Sequence, residues 1–129
     1  MIHIVSFGYG HAAAPAAEAT YDLRDLFYNP FEDSELRHLT GLDEPVYEHV
    51  MATRGAQPLA QLAAYLAVGL HDIARGGDIT IAYGCIGGRH RSVGLARRTQ
   101  EIVQLTGRET AIEHRDVRKP LLPPSAHRI

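Results

Sequence analysis

The sequence has few of the features that mark secreted or membrane proteins. Its single cysteine cannot form an internal disulfide, so nothing in the sequence requires an oxidising compartment. No apolar run approaches the roughly 20 residues that a membrane-spanning helix needs. The N-terminus lacks the basic start and the small-residue cleavage site of a signal peptide. We therefore expect a cytoplasmic protein that has no membrane partner.

Basic residues are scarce in the first two thirds of the chain. Residues 1–84 contain 4 Lys and Arg against 11 Asp and Glu, whereas residues 85–129 contain 9 against 4. A basic C-terminal third favours an anionic partner, either a phosphorylated small molecule or a nucleic acid. The other interpretation is that the acidic and basic parts neutralise each other across the fold.

Alternating strand and helix patterns indicate the fold class. Short β-branched or aromatic segments predict strands at residues 3–7, 20–24, 79–83 and 110–114. A helix start is predicted at Leu42–Pro45, where acidic residues stand beside a proline. Another helix is predicted to run to about Gly107, with Arg97 and Glu101 paired four residues apart. This order predicts one three-layer α/β domain with a small, mostly parallel sheet flanked by helices.

The strongest helical pattern lies in the middle of the chain. Pro58 is predicted to open this helix, and Gly76-Gly77 is typical of a helix end. Between them, apolar residues recur at spacings of three and four, which predicts one continuous buried face. The residues of that face are Leu59, Leu62, Ala63, Leu66, Leu70, Ile73 and Ala74.

A glycine-rich segment, Cys85–Ser92, joins a predicted strand to a predicted helix. Open α/β sheets bind ligands at the carboxyl ends of their strands. The glycines allow backbone N–H groups to turn towards an anion, and the helix adds its own N-terminal amides. Arg89 and Arg91 offer planar donors to phosphate oxygens, with His90 between them. A plain turn with solvent-facing arginines would leave this positive charge uncompensated at a helix N-terminus, so we predict a phosphate-binding loop.

The same loop has the spacing Cys-x-x-Gly-x-x-Arg-Ser, which looks like the phosphate loop of cysteine-dependent phosphatases. In this alternative, Cys85 is the nucleophile and Arg91 stabilises the transition state. Asp22 or Asp25 then supplies the general acid. Because Gly84 stands where those enzymes usually have histidine, we favour Cys85 as a small buried residue that closes the strand.

The string from Gly84 to Val93, GCIGGRHRSV, resembles the C-terminal domain of the RapZ family, also described as nucleotide-binding proteins and RNase adapters. Further segments agree in order: Ser6–Tyr9, Asp22–Arg24, Asn29-Pro30, Leu36-Arg37, Thr40–Asp43 and His114–Asp116. The resemblance implies a non-catalytic module that binds a phosphosugar, glucosamine-6-phosphate, or a nucleotide. It also implies small RNA and further copies of the chain as partners, with neither a cofactor nor a metal.

The resemblance further implies which residues bind the ligand. The phosphate site is the loop itself: Cys85, Ile86, Gly87, Gly88, Arg89, His90, Arg91 and Ser92. Asp22, Arg24 and Asn29 complete the pocket, and His114 and Arg115 line its rim. If RNA binds directly, its contacts are basic residues of the C-terminal third: Arg97, Arg98, Arg108, Arg118 and Lys119.

The sequence departs from the family in one large respect. Full-length members begin with a kinase-like domain that carries a Gly-x-x-x-x-Gly-Lys-Ser/Thr loop, and these 129 residues contain no such motif. We expect a stand-alone RapZ C-terminal-like domain at residues 1–118 and a proline-rich tail at residues 119–129. The ATPase activity attributed to the family is not expected here.

Overall fold

The computed structural model describes residues 1–26 and 34–127. In chain order these ranges form β1 (Ile2–Gly8), β2 (Ala19–Asp22), α1 (Glu44–Ala52), α2 (Ala56–Ile73), β3 (Ile79–Cys85), α3 (Arg91–Gln104), β4 (Thr110–His114) and a short 3-10 helix at Pro124–His127. The predicted strands and helices are present, with bounds shifted by a few residues. None of the described helices combines the length and hydropathy that a bilayer crossing requires.

The described strands form one sheet in the order β2-β3-β1-β4, and every neighbouring pair is parallel. The N-terminal strand β1 lies in the interior of the sheet, with Ile4 opposite Ile81 of β3 and Ile112 of β4. At the end of the same register, Gly8 stands opposite Cys85. The carboxyl ends of the strands therefore meet at one edge of the sheet.

Helices α1, α2 and α3 lie on one face of this sheet. The connections β2–β3 and β3–β4 cross the sheet in the same direction, and right-handed crossovers place their helices on the same side. The connection β1–β2 crosses in the opposite direction, so residues 9–18 lie on the other face, where Tyr9 packs with Phe7 and Ala82. The predicted single α/β domain of three layers is confirmed, and the layer opposite the helices is this extended connection.

Alanines form the side of α2 that faces the core: Ala56, Ala60, Ala63, Ala64 and Ala67. The predicted buried face of α2 is therefore wrong in part. Four of its residues are exposed: Leu62, Leu66, Ile73 and Ala74. Small side chains let α2 approach its neighbours closely, and Leu59 and Leu70 only border the core. Both the alanine face and the leucine face beside it recur at spacings of three and four residues. The spacing therefore cannot tell which of the two faces is buried.

The predicted pairing of Arg97 with Glu101 is also wrong. Arg97 donates to Glu44 of α1 at 3.2 Å, and Glu101 accepts from Arg98 at 3.0 Å. The Arg97 guanidinium also lies 3.8 Å from the ring centroid of Tyr47 in α1. Because α1 packs beside α3, a partner from another helix replaces the one expected along the same helix.

Candidate phosphate-binding site

The glycine loop lies at the carboxyl edge of the sheet, as predicted. Residues 86–90 connect the end of β3 to the start of α3. They run beside the end of β1, where the Tyr9 N–H donates to the Cys85 carbonyl at 2.8 Å and the Gly10 N–H to the Ile86 carbonyl at 2.9 Å. The loop therefore sits where open parallel sheets bind ligands.

Contacts between glycines fix the curvature of the loop. Gly88 has a φ of 69°, in the left-handed region that favours glycine. A Cβ at Gly88 would lie 2.7 Å from the Gly8 nitrogen, and a Cβ at Gly8 would lie 2.6 Å from the Gly87 carbonyl carbon. Since the two backbones touch, neither Gly8 nor Gly88 can carry a side chain without displacing the loop.

Several backbone amides of the loop donate to no other described residue. They belong to Gly87, Arg89, His90, Ser92 and Val93. The amides of Ser92 and Val93 lie in the first turn of α3, where the helix itself offers no acceptor and its dipole adds positive potential. A group of free N–H donors at a helix N-terminus is the usual protein site for a phosphate.

The Cys85 thiol lies beneath the loop. Cys85 is 3% exposed, its sulfur accepts the Gly88 N–H at 3.3 Å, and the Ser92 hydroxyl oxygen lies 3.1 Å from it. Ser92 is fully buried. The thiol therefore links the middle of the loop to the first turn of α3 and forms part of the wall of the site.

The Arg91 side chain is buried and turned towards the segment after β2. Its Nη1 donates to the carbonyl oxygens of Leu23 at 2.7 Å, Leu26 at 3.0 Å and Arg24 at 3.2 Å. One guanidinium nitrogen thus donates to three carbonyl oxygens of the neighbouring turn. The structure places Arg91 at the site as a clamp between the glycine loop and the segment after β2.

Arg89 and Arg115 hold other loops of the same edge. Arg89 donates to the carbonyls of His38 at 2.8 Å and Lys119 at 3.2 Å. Arg115, predicted at the rim, donates to the Ala13 carbonyl at 2.6 Å. Both side chains therefore connect segments that are distant in the sequence.

Asp116 lies at the site but is not among the predicted site residues, although it ends the segment His114–Asp116 that resembles the family. It is fully buried, and its Oδ2 accepts the Gly8 N–H at 2.7 Å and the Arg115 Nη2 at 3.0 Å. Its Oδ1 pairs with the Lys119 ammonium at 2.5 Å. Burial raises the pKa of this carboxyl, but the hydrogen bonds from Arg115, Lys119 and Gly8 together hold the pKa below its usual value. The indication of this role in the sequence was the position of Asp116 directly after β4, at the carboxyl edge of the sheet where the glycine loop lies.

Asp22 and Arg24 form an ion pair at the end of β2. Arg24 Nη2 lies 2.6 Å from Asp22 Oδ2, and the Arg24 guanidinium lies 3.8 Å from the ring centroid of Tyr9. The side-chain hydrogen bond from Arg24 lowers the pKa of Asp22. This partly exposed group flanks the site on the β2 side, whereas the predicted Asn29 lies outside the described residues.

Both histidines of the predicted site are neutral at pH 7. Burial, helped by the nearby charge of Arg89, lowers the pKa of His90 to about 4. Burial, helped by Arg97, also lowers the pKa of His114, whose Nδ1 is hydrogen-bonded to the buried Ser6 hydroxyl at 2.7 Å. Neither side chain adds positive charge for an anion.

The residues predicted to bind RNA lie at different edges of the sheet. Arg108 follows α3 at the amino edge, whereas Arg118 and Lys119 follow β4 at the carboxyl edge. Three of the predicted arginines pair with carboxylates: Arg97 with Glu44, Arg98 with Glu101 and Arg108 with Asp72. The acidic and basic parts of the chain thus neutralise each other in part across the fold.

Comparison with known proteins matches this chain to the family model described as the RapZ C-terminal domain, over residues 1–118. A relative named nucleotide-binding protein, from Symbiobacterium thermophilum, is 39% identical over 124 residues, which cover 92% of this chain and 40% of the relative. Relatives with the same name occur in Staphylococcus epidermidis, 38% identical over 89% of this chain and 39% of the relative, and in Thermobifida fusca, 40% identical over 89% and 40%. The chain therefore spans about 40% of the length of these relatives.

Proposed function

The chain belongs to the RapZ C-terminal domain family, and we propose that it binds a phosphorylated small molecule at Cys85–Ser92 without transforming it. The observation that carries this proposal is the set of free amides in the glycine loop and in the first turn of α3. They lie together at the carboxyl edge of a parallel sheet, where anionic ligands bind. The relatives named nucleotide-binding proteins fit a ligand that carries a phosphate.

The rest of the pocket selects what carries the phosphate, since loop amides recognise the phosphate group alone. The ion pair of Asp22 and Arg24, stacked on Tyr9, is the described polar wall beside the loop. Its carboxylate can accept hydrogen bonds from sugar hydroxyls, and its guanidinium face can stack on a base. A phosphosugar such as glucosamine-6-phosphate and a nucleotide are therefore the two ligand classes to compare.

Calorimetric titration and thermal unfolding with inorganic phosphate, glucosamine-6-phosphate and AMP test this proposal. A bound phosphorylated compound raises the melting temperature as its concentration rises, whereas glucosamine and adenosine do not. Gly88→Ala is expected to weaken binding roughly tenfold or more, because charge-assisted hydrogen bonds from displaced amides are lost. The displacement follows from the φ of 69° and the contact with Gly8.

Gly69→Ala is the matched control for this substitution. Gly69 is exposed on α2, and a Cβ there would meet nothing within 4 Å. This variant should keep the affinity of the wild type. The proposal fails if no phosphorylated compound shifts the melting temperature, or if Gly88→Ala binds as tightly as the wild type.

The same geometry gives little support to the phosphatase alternative. The Cys85 thiol is buried and hydrogen-bonded within the loop, and Arg91 donates to backbone carbonyls. Asp22 is held ionised by Arg24, whereas a general acid must carry a proton. We expect the wild type and Cys85→Ser to hydrolyse a generic aryl phosphate equally, at the background rate.

RNA binding is the weaker extension of the proposal. Only Arg118 and Lys119 of the predicted RNA-binding set follow β4 towards the glycine loop. If a nucleic acid binds there through its phosphates, its affinity must fall steeply as salt rises. A gel shift with a small RNA at increasing salt measures this dependence, and no shift at low salt would exclude the extension.

A further inference from the structure

The buried carboxylate of Asp116 has two positive partners at the carboxyl edge of the sheet. Its Oδ2 accepts from the Arg115 guanidinium at 3.0 Å, and its Oδ1 lies 2.5 Å from the Lys119 ammonium. Among the described residues, neither cation pairs with any other carboxylate. Because one carboxylate cannot neutralise two cations, this group of three side chains keeps one positive charge.

Arg89 adds a second positive charge that no described carboxylate neutralises. Its guanidinium donates to the carbonyls of His38 and Lys119, and its buried Nε has no hydrogen-bond partner in the part of the chain that the structure describes. Carbonyl oxygens accept hydrogen bonds but carry no full charge. The glycine loop therefore lies beside two uncompensated positive charges, and a phosphate monoester brings a charge of about −1.5 to −2 at pH 7.

Lys119 is held at the glycine loop through both its backbone and its side chain. Its carbonyl accepts from Arg89 Nη1 at 3.2 Å. The Asp116 side chain that holds its ammonium packs on Gly88, where a Cβ would lie 2.9 Å from the Asp116 Cβ. An ammonium has three donors, and the Lys119 side chain is 45% exposed. Lys119 can therefore donate to a ligand on the loop while it stays paired with Asp116.

We propose that the Lys119 ammonium contacts the bound phosphate and makes the site prefer a dianionic phosphate monoester to a monoanionic ester. This inference rests on the proposed function, because it concerns the same site. Asp116 is then a positioning residue, which holds the ammonium beside the loop. Backbone amides donate to the oxygens of a phosphate or a sulfate ester alike, whereas the attraction to a cation doubles when the charge of the anion doubles. Lys119 thus supplies the discrimination that the amides lack.

Calorimetric titration of the 129-residue chain with matched phosphate and sulfate esters tests this role. The pairs are glucosamine-6-phosphate with glucosamine-6-sulfate, and AMP with adenosine 5′-sulfate, at about pH 8, where the phosphate monoester is a dianion because its second pKa is about 6. The wild type should bind the phosphate ester more tightly. Lys119→Met should weaken binding of the phosphate ester roughly tenfold. It should weaken binding of the sulfate ester only about threefold, because half the charge gives half the attraction.

Two further variants serve as controls. Lys119→Arg keeps the charge and should recover most of the affinity for the phosphate ester. Arg75→Met removes an exposed charge that follows α2 at the amino edge, and salt screening should keep its affinity within about twofold of the wild type. Circular dichroism should show that all three variants are folded.

Several results would overturn the inference and leave the proposed function standing. They are a Lys119→Met variant that binds the phosphate ester as tightly as the wild type, or an equal loss for both esters, which would mean that Lys119 only supports Asp116. An equal loss in Arg75→Met would have the same meaning for the inference. If the wild type binds neither phosphate ester, the proposed function and the inference both fail.

Discussion

At the scale of single residues, the arginines of the site act first on the protein backbone. Arg91 holds the carbonyls of the segment after β2, Arg89 reaches the carbonyls of His38 and Lys119, and Arg115 holds the segment after β1. A guanidinium can donate to phosphate oxygens and also to carbonyl oxygens, although its contact with phosphate is the stronger. The sequence could therefore indicate that these arginines lie together, but only the positions of the surrounding loops decide which oxygens they contact.

The burial of Asp116 was not predictable from the residues around it in the sequence. A single aspartate after a strand is common at protein surfaces, and the burial of Asp116 depends on Gly8, which meets it only when β1 and β4 pair. The glycine loop, in contrast, was recognisable because its glycines and arginines are neighbours in the sequence. A sequence pattern can predict a site whose residues are close in the sequence. It cannot predict a contact between residues that only the fold brings together.

Asp116→Ala should lower the free energy of unfolding by about 3 kcal/mol, because it leaves Arg115 partly buried without its carboxylate and the Gly8 N–H without an acceptor. Urea unfolding followed by circular dichroism measures this loss. Asp116→Asn keeps an acceptor for Gly8 and should lose less. The control is Asp72→Ala, which removes an exposed ion pair with Arg108 and should change stability by at most about 1 kcal/mol. Equal losses for Asp116→Ala and Asp116→Asn would contradict a stabilising bond to Gly8.

At the scale of secondary-structure elements, the strands were predicted well and the packing of α2 was not. Each strand is a short β-branched or aromatic segment between turn residues, so its position is encoded locally. The register of α2 against the sheet is not local. It depends on how closely the helix can approach β1, β3 and α3, and this favours alanine over leucine on the inner side.

Ala67→Leu should therefore destabilise the protein by about 1–3 kcal/mol, because the larger side chain has no space between α2 and its neighbours. Ala67 is fully buried. The same substitution at Ala52, the exposed last residue of α1, should change stability by about 0.5 kcal/mol or less. Thermal and urea unfolding of the two variants gives the comparison. Similar stabilities would mean that the alanine side of α2 does not require small residues.

At the scale of the whole molecule, the order of strands could not be derived from the sequence pattern. Alternating strands and helices predict a parallel sheet, but they do not tell which strands become neighbours. The uneven charge distribution is likewise resolved only by the fold, where basic residues of α3 and its following turn meet acidic residues of α1 and α2. Much of the basic character of the C-terminal third is thus compensated within the chain.

The stability of the whole domain should fall as the pH drops from about 6.5 to about 4. Burial depresses the folded-state pKa of His90 to about 4, so the unfolded chain takes up the proton first, near pH 6.5. The stabilisation is complete above this pH, and about 3 kcal/mol is lost by pH 4. His114, whose pKa is also lowered, acts in the same direction.

Urea unfolding at about pH 7 and about pH 4.5 measures this dependence. His90→Asn removes the buried histidine and should show a smaller loss of stability between these pH values than the wild type. An unchanged loss would show that His90 is not the group that takes up the proton.

The interior position of β1 has a consequence for synthesis on the ribosome. Among the described strands, β1 pairs with β3 and β4, which end at Cys85 and His114. Until β3 and β4 have been synthesised, the apolar β1 segment of the nascent chain has no strand with which to pair. Such distant pairing slows folding and prolongs the exposure of unpaired strands. The proposed phosphate-binding site, whose walls come from segments near both ends of the domain, is therefore completed only when nearly all of the domain has left the exit tunnel.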